Sequence, residues 1–468
     1  MTDLSQPLSE ASAAAGQAST SLRPIRSRWA RRLWTVPWKW TVGALLTQTL
    51  LGAVLVFGWL QRWTCRTAVR TWWRHAGRPG RTLALGLALD PALAAHAHAP
   101  DWFQALPAGT MGSADGGVSR RWLGSLRANF RTGWQGLLNT LALTLPAGVL
   151  MQLGWWGGWQ NSFHKGYEQY LVGPAVSWLG IMLFVGAMFY LPMALARQAV
   201  TGHWREFWRW STVWTLVRHA WAGCAALALL GAFLNVGAMA LKTWPAFMPQ
   251  AKTSEQIQER VKAGLDPAAA AQPLISPPPG APDWNQLTEA EARAILDRHF
   301  VFAGFLVFGS LLAWRGLAGR VYASAVVHAV QRGALGEDQL SEREWRTLAG
   351  FGLLRTREAR PRWWPVRLAA WAASRTGRLA CAVTVFLGWF LFVGVAYVGE
   401  FLAFHPIIGF LNQPLVQIPW FRYVPTHLQD PAPALWLTVL VLVGVLCFSR
   451  LSRAFRTRRG TPRPAPET

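Results

Sequence analysis

Two histidines in the first quarter of the chain have the spacing of metal ligands. His96 and His98 are separated by one residue, and Asp101 follows three positions later. Imidazole and carboxylate groups bind zinc, but a complete site would need a third or fourth donor such as His75. The segment around these residues is rich in alanine and histidine, which also suits a loop that holds no fixed geometry. We favour the loop, and predict no bound metal and no cofactor.

A second group of titratable side chains falls near the outer ends of apolar segments. If these side chains converged at one membrane interface, they could act on lipid head groups. The sequence contains no Walker loop, no Gly-x-Ser-x-Gly, no dinucleotide fingerprint and no Cys-x-x-Cys. We therefore predict no catalytic residue and favour a protein that is not an enzyme, while an enzyme remains an open alternative. The group comprises His164, His299, His405, His427, Glu168, Asp297 and Glu400.

The elements that must position these residues are long uncharged runs. Only 15% of the 468 residues are Asp, Glu, Lys or Arg, against about 25% in an average soluble domain. A membrane-spanning helix needs about 20 apolar residues. The sequence therefore predicts an all-α polytopic bundle with six to seven membrane segments, the seventh being Phe300–Trp314, which continues past a snorkelling Arg315. The six clear runs are Thr41–Leu60, Gly133–Phe163, Leu171–Ala196, Ala220–Leu241, Leu379–Gly399 and Pro431–Ser449.

The basic residues give the predicted orientation of these segments. Cytoplasmic loops of membrane proteins carry an excess of Lys and Arg. Residues 315–378 contain twelve Arg, whereas residues 400–430 contain one. With the C-terminus inside, 38 of the 46 basic residues become cytoplasmic. We predict a multi-pass protein of the bacterial inner membrane.

The first apolar run does not fit this alternation, because basic clusters lie on both sides of it. A helix that crosses the membrane at Thr41–Leu60 would place one cluster outside. A re-entrant or interfacial helical hairpin, broken near Thr47–Gln48 or Gly52, would keep both clusters inside. We favour the hairpin slightly, and the side of the N-terminus remains open.

Composition and charge divide the chain into six predicted segments. Two of them are three-helix membrane units, and the others are tails or connecting regions. They are a disordered basic tail (1–36), a membrane hairpin or helix with a cytoplasmic amphipathic segment (37–132), a three-helix unit (133–241), a periplasmic arm with a Pro/Ala linker (242–299), a three-helix unit with a basic cytoplasmic loop (300–449) and a basic cytoplasmic tail (450–468).

Four residues inside the predicted crossings could line a cavity or serve helix packing. Asn139 and Asn235 can form hydrogen bonds between helices, while Pro146 and Pro192 can kink the second and third crossings. The runs contain no carboxylate or other charged group. Such groups mark proton relays and intramembrane proteases, so the sequence argues against both classes.

Tryptophan and basic residues cluster at the predicted inner membrane boundaries. Aromatic residues favour the membrane interface, and anionic lipid attracts the basic ones. We therefore interpret these clusters as lipid anchors, with anionic head groups as partners, and expect no nucleic acid. The proposed anchors are Trp38, Lys39, Trp204, Arg205, Trp208, Arg209, Arg362, Trp363 and Trp364.

One motif resembles an element of a known family. The segment Gly58-Trp59-Leu60-Gln61-Arg62 is similar to the Gly-Tyr-x-x-Arg element of an uncharacterised bacterial and archaeal integral-membrane family, a domain of unknown function. The stretch Leu145-Pro146 and the stretch Tyr190–Ala194 resemble later parts of its pattern. The resemblance covers about residues 40–240, with Trp in place of Tyr and a long insertion at 61–133. It implies a multi-pass membrane protein and assigns no activity.

A short internal similarity links two stretches of the chain. Phe189-Tyr190 through Gly202 resembles Val321-Tyr322 through Gly333, since each continues an apolar run and ends in a glycine. We attribute so small a match to chance.

The sequence favours a non-enzymatic accessory or scaffold protein of the cell envelope, possessing an envelope protein partner. The alternative is a transporter or permease for an apolar or lipid-like molecule, which would use a cavity around the two asparagines and two prolines named above.

Overall fold

The structure, a computed structural model, consists of helices throughout the part of the chain that it describes. The described residues are 37–78, 102, 118–155, 172–247, 261–264, 289–354 and 364–403.

Nine α-helices and two 3₁₀ helices cover most of these residues, and no described residue lies in a strand. The 3₁₀ helices are Trp204–Trp208 and Glu337–Gln339. The α-helices are α1 (residues 37–46), α2 (Leu50–His75), α3 (Val118–Trp155), α4 (Val172–Thr201), α5 (Trp210–His219), α6 (Trp221–Phe247), α7 (Glu289–Gln331), α8 (Glu342–Phe351) and α9 (Trp364–Ala403).

Helices α1 and α2 form a hairpin against α7. The chain turns at residues 47–49, which include one of the two positions where the sequence predicts a break, and the Thr49 side chain caps α2 by accepting a hydrogen bond from the Gly52 amide. At the turn, Gln48 Nε2 donates to the Phe300 carbonyl over 3.0 Å. Helix α2 then runs alongside α7, where Trp72 Nε1 donates to the Ala323 carbonyl over 3.0 Å.

Glycines allow α2 and α3 to touch backbone to backbone. A Cβ on Gly58 would overlap the Asn129 carbonyl oxygen and lie 2.9 Å from the Gly133 nitrogen. A Cβ on Gly133 would in turn overlap the Val54 carbonyl oxygen. Two larger residues could not share this crossing, because their side chains would occupy the space of the opposite backbone.

The internal similarity coincides with a repeated structural unit. Helix α4 is followed by Gly202 (φ +77°), a 3₁₀ helix and the ten-residue helix α5. Helix α7 is followed by Gly333 (φ +66°), a 3₁₀ helix and the ten-residue helix α8. A left-handed glycine at both positions ends the long helix. The two stretches therefore share the same order of elements, which the attribution to chance does not predict.

Four described helices are long and apolar enough to cross a membrane. They coincide with the predicted runs that begin at Leu171, Ala220, Phe300 and Leu379. The run Thr41–Leu60 falls in α1 and α2, and the described part of Gly133–Phe163 falls in α3; none of these helices is among the four. Pro431–Ser449 lies outside the described residues. The four candidate spans are Ala175–Thr201, Trp221–Leu241, Ala294–Gln331 and Ser374–Val395.

Two arginines inside these spans correct the expectation of an uncharged interior. Arg197 and Arg315 have 0% and 1% of their surface exposed. The predicted snorkelling of Arg315 is wrong, because its guanidinium lies 4.5 Å from the centre of the Phe57 ring, inside the bundle. Both residues directly follow an uncharged run, so the sequence alone placed them at the end of a crossing and not inside it.

Candidate functional site

The most connected polar site surrounds Arg197 near the end of α4. Its Nε and Nη2 donate to Oε2 of Glu206, over 3.0 and 2.8 Å. Nη2 also donates to the Gln339 carbonyl over 2.8 Å and lies 3.7 Å from Oε2 of Glu344. Tyr322 donates its hydroxyl proton to Oε1 of Glu344. We call Arg197, Glu206, Tyr322 and Glu344 the Arg197 cluster.

The repeated unit positions the members of this cluster. Arg197 and Tyr322 lie on the two long helices α4 and α7, while Glu206 belongs to the first 3₁₀ helix and Glu344 to α8. Ser341 and Glu344 form a capping box at the start of α8, in which the Ser341 amide donates to Oε2 of Glu344 over 2.7 Å. Local capping thus fixes the position of one carboxylate of the cluster.

The cluster joins the two units electrostatically. Arg197 bonds to a carboxylate from its own unit and lies beside one from the other unit, and both carboxylates are largely buried. Buried charges of this kind are stable only as hydrogen-bonded pairs. A second contact also joins the two units, since Arg343 Nη1 on α8 donates to the Val200 carbonyl on α4 over 3.2 Å. The cluster acts as a structural clamp, since its acids and bases bind one another.

Asn139 extends the polar site onto α3. Its Nδ2 donates to Oε1 of Gln198 over 3.1 Å and to the Trp204 carbonyl over 2.9 Å, and its Oδ1 accepts from Trp208 Nε1 over 2.9 Å. The sequence proposed Asn139 for a cavity or for helix packing, and these bonds connect α3 with the end of α4 and the first 3₁₀ helix.

We expect replacement of Asn139 by leucine to lower the free energy of unfolding by about 1–3 kcal/mol, because it leaves buried polar groups unpaired. Equilibrium unfolding in mixed detergent micelles, followed by tryptophan fluorescence, measures this change. Thr384→Val is a matched control, since Thr384 is exposed and donates only to its own helix; a change of about 0.5 kcal/mol or less is expected there. Equal effects of the two substitutions would contradict the bonding described for Asn139.

Within the described part of the chain, Asn139 forms no hydrogen bond with the other three residues of this predicted set. Asn235 is buried in α6 and donates to the Gly231 carbonyl of the same helix over 2.8 Å. Pro192 is buried within α4, and Pro146 is exposed on α3.

The predicted lipid anchors have mixed environments. Trp204 and Arg205 are exposed, and the guanidinium of Arg205 lies 5.6 Å from the centre of the Trp204 ring. Trp208 instead bonds to Asn139, and Arg209 Nε forms an ion pair of 3.2 Å with Glu206. Those two residues therefore make contacts that stabilise the fold. Trp38 and Lys39 are half-buried, Arg362 and Trp363 lie outside the described residues, and nothing is described of the Trp364 side chain.

The described residues contain no group of three or more potential metal ligands. His75 Nε2 lies 3.2 Å from Ser324 Oγ, and burial together with the nearby His328 lowers the pKa of His75. His299 bonds to the Leu241 carbonyl over 2.9 Å. The proposed ligands and titratable residues His96, His98, Asp101, His164, Glu168, His405 and His427 lie outside the described residues.

The thiol of Cys65 is also a poor candidate for chemistry. It is fully buried on α2, and burial raises its pKa to about 12, although the nearby Arg343 and Arg62 act in the opposite direction. Because only the thiolate is a strong nucleophile or metal ligand, the burial of Cys65 and its raised pKa both disfavour such roles.

The sequence missed the Arg197 cluster and the burial of Arg315. Arg197 and Glu206 looked like interfacial residues, and nothing linked them to Glu344, which lies 147 and 138 positions further along the chain. One available signal was the paired Tyr190 and Tyr322 at equivalent positions of the internal similarity.

Comparison with known proteins adds no assignment, since no family model, no curated protein and no solved structure matches the chain.

Proposed function

We propose that this chain is a multi-pass protein of the bacterial inner membrane that acts as a non-enzymatic accessory or scaffold in the cell envelope. The observation that carries this proposal is the Arg197 cluster. Its charged groups bind one another and hold two repeated units together, which suits a rigid framework better than a reaction centre. Large apolar side chains on the spans remain exposed, such as Leu379 (67%) and Phe302 (62%), and lipid would cover them.

The proposed topology has six or seven membrane segments with the C-terminus in the cytoplasm. Its support is the alternation of basic and basic-poor loops together with the four apolar helices. Membership in the uncharacterised family named above is likewise a proposal. It rests on the sequence motifs described above.

Co-purification in a mild detergent tests the scaffold proposal. We expect mass spectrometry to find a stoichiometric envelope protein with the tagged chain, and Arg197→Met to reduce its recovery together with the integrity of the fold. As a control, Arg346→Met changes an exposed ion pair with Glu342 and should leave recovery unchanged. Isolation of the chain without any protein partner would contradict the proposal.

A transporter for an apolar or lipid-like molecule is the second candidate. It is favoured by one observation, the buried Arg315 guanidinium with unpartnered nitrogens among the described residues. Loss of a transport phenotype after alanine substitution of Asn139, Pro146, Pro192 and Asn235 would favour this candidate, whereas unchanged phenotypes would remove the proposed cavity.

Reporter fusions test the proposed N-terminal hairpin. Because α1 and α2 run in opposite directions, we expect alkaline phosphatase fused after residue 36 and after residue 78 to be inactive in both cases, on the cytoplasmic side. A fusion after residue 264, in the proposed periplasmic arm, should be active and serves as the control. Activity at only one of the first two sites would show instead that residues 41–60 cross the membrane.

A further inference from the structure

Arg315 presents an unpaired cation inside a membrane span. It is 1% exposed, and its guanidinium carbon lies 4.5 Å from the Phe57 ring centre and 5.3 Å from that of Trp314. The rings stabilise the charge through cation–π contacts. However, Nε and Nη2 are buried and have no hydrogen-bond partner among the described residues. Native interiors rarely leave such donors unpaired.

Gln61 lies beside the same ring and is also unpaired. It follows Phe57 by one turn of α2, and both its Oε1 and its Nε2 are buried without a partner among the described residues. A Cβ on Gly136 of α3 would lie 2.5 Å from Phe57 Cε1 and 2.8 Å from Gln61 Nε2. The absence of a side chain at Gly136 therefore leaves the space that the ring and the amide use.

A second buried arginine, Arg62, follows Gln61 directly in the sequence. Arg62 is 4% exposed, and its Nη1 donates to Asn129 Oδ1 over 3.1 Å. The buried carboxylates of the described bundle, Glu206 and Glu344, are engaged in the Arg197 cluster. The missing partner of Arg315 is therefore an anion that the described part of the chain does not supply.

We propose that Arg315 and Gln61 bind the phosphate group of an anionic lipid where α2, α3 and α7 meet. A guanidinium can donate two parallel hydrogen bonds to a phosphate, and Gln61 Nε2 can donate a third. Gln61 Oε1 can accept from a hydroxyl of the head group. We assign the phosphate to a lipid because Arg315 follows the apolar run Phe300–Trp314, where lipid head groups would meet the end of a crossing, so this inference rests on the membrane location proposed above.

The test compares the full chain with R315Q and Q61L, and with R320Q as the matched control, because Arg320 lies on the same helix and is exposed. Each protein is purified in mild detergent, and bound phospholipid is measured by native mass spectrometry and by phosphorus content. Delipidated protein is then incubated with vesicles of phosphatidylglycerol or phosphatidylcholine, or with inorganic phosphate. Q61L keeps the test informative if R315Q does not fold.

We expect the parent chain and R320Q to retain phosphatidylglycerol and to rebind it in preference to phosphatidylcholine. R315Q and Q61L should bind it about tenfold more weakly, the effect of one lost hydrogen bond to a charged group. Equal retention by all four proteins would overturn the site, and saturation by inorganic phosphate alone would overturn the lipid as its source. If the chain stays in the membrane fraction while retention is unchanged, this inference fails and the proposed membrane location does not.

Discussion

Replacement of Arg197 by methionine is expected to lower the free energy of unfolding by about 3–5 kcal/mol. Methionine has a similar length but cannot neutralise Glu206 and Glu344, which would remain buried without their common cation. Removing one partner of a buried ion pair has an effect of this size, because the remaining charge keeps its desolvation cost. The Tyr322 hydroxyl would still bond to Glu344, but it carries no charge to replace that of Arg197.

Two further variants identify the cause of this loss. The triple variant Arg197→Met, Glu206→Gln, Glu344→Gln removes all three charges, and we expect it to recover a large part of the lost stability. Arg346→Met removes an ion pair between side chains that are 62% and 76% exposed, so its effect should be about 0–1 kcal/mol. Unfolding in mixed micelles, followed by tryptophan fluorescence, measures all of them. An Arg197→Met change as small as that of Arg346→Met would show that the cluster is not a clamp.

The described helices were largely predictable from sequence because their signal is local. An uncharged run of about 20 residues predicts a membrane helix whichever helices become its neighbours. The four candidate spans coincide with such runs. The helix break at residues 47–49 was also within reach, since basic clusters on both sides of one run are difficult to reconcile with a crossing.

The polar contacts were not predictable, because each depends on which helices become neighbours. Arg197 and Glu344 are far apart in sequence, and each lies next to an apolar run where a solvated charge would be equally acceptable. Arg315 is the single charged residue that interrupts its apolar run, and its side chain was expected to reach the membrane surface. Only the packing of α2 against α7 places Phe57 over its guanidinium.

Gly58 illustrates how a motif residue acquires a physical role from this packing. In the sequence it opens a motif that resembles a family pattern, and the pattern gives no reason for glycine. In the structure it lies at the crossing of α2 and α3, where the Asn129 carbonyl occupies the position of its missing Cβ. Arg62, the last residue of the motif, lies four positions after Gly58 on α2 and donates to the Asn129 side chain. The two ends of the motif thus contact one residue of α3.

Substitution of Gly58 by alanine should therefore lower the free energy of unfolding by about 3 kcal/mol or more. Overpacking alone costs typically about 1–3 kcal/mol. Here the added atom meets backbone, which cannot rotate away as a side chain can, so α2 and α3 must separate. Separation would also lengthen the 3.1 Å bond between Arg62 and Asn129, which adds the cost of weakening a buried hydrogen bond to a charged group.

Gly186→Ala is the matched control for this prediction. Gly186 lies within the long helix α4, and a Cβ there would meet no atom within 4 Å. Its replacement should change the free energy of unfolding by no more than about 1 kcal/mol, in the stabilising direction, since alanine favours the helix. The same micelle titration compares the two variants. A Gly58→Ala protein as stable as Gly186→Ala would mean that α2 and α3 are not in backbone contact, and Gly58 would then have to be explained without the crossing that joins the N-terminal hairpin to the rest of the bundle.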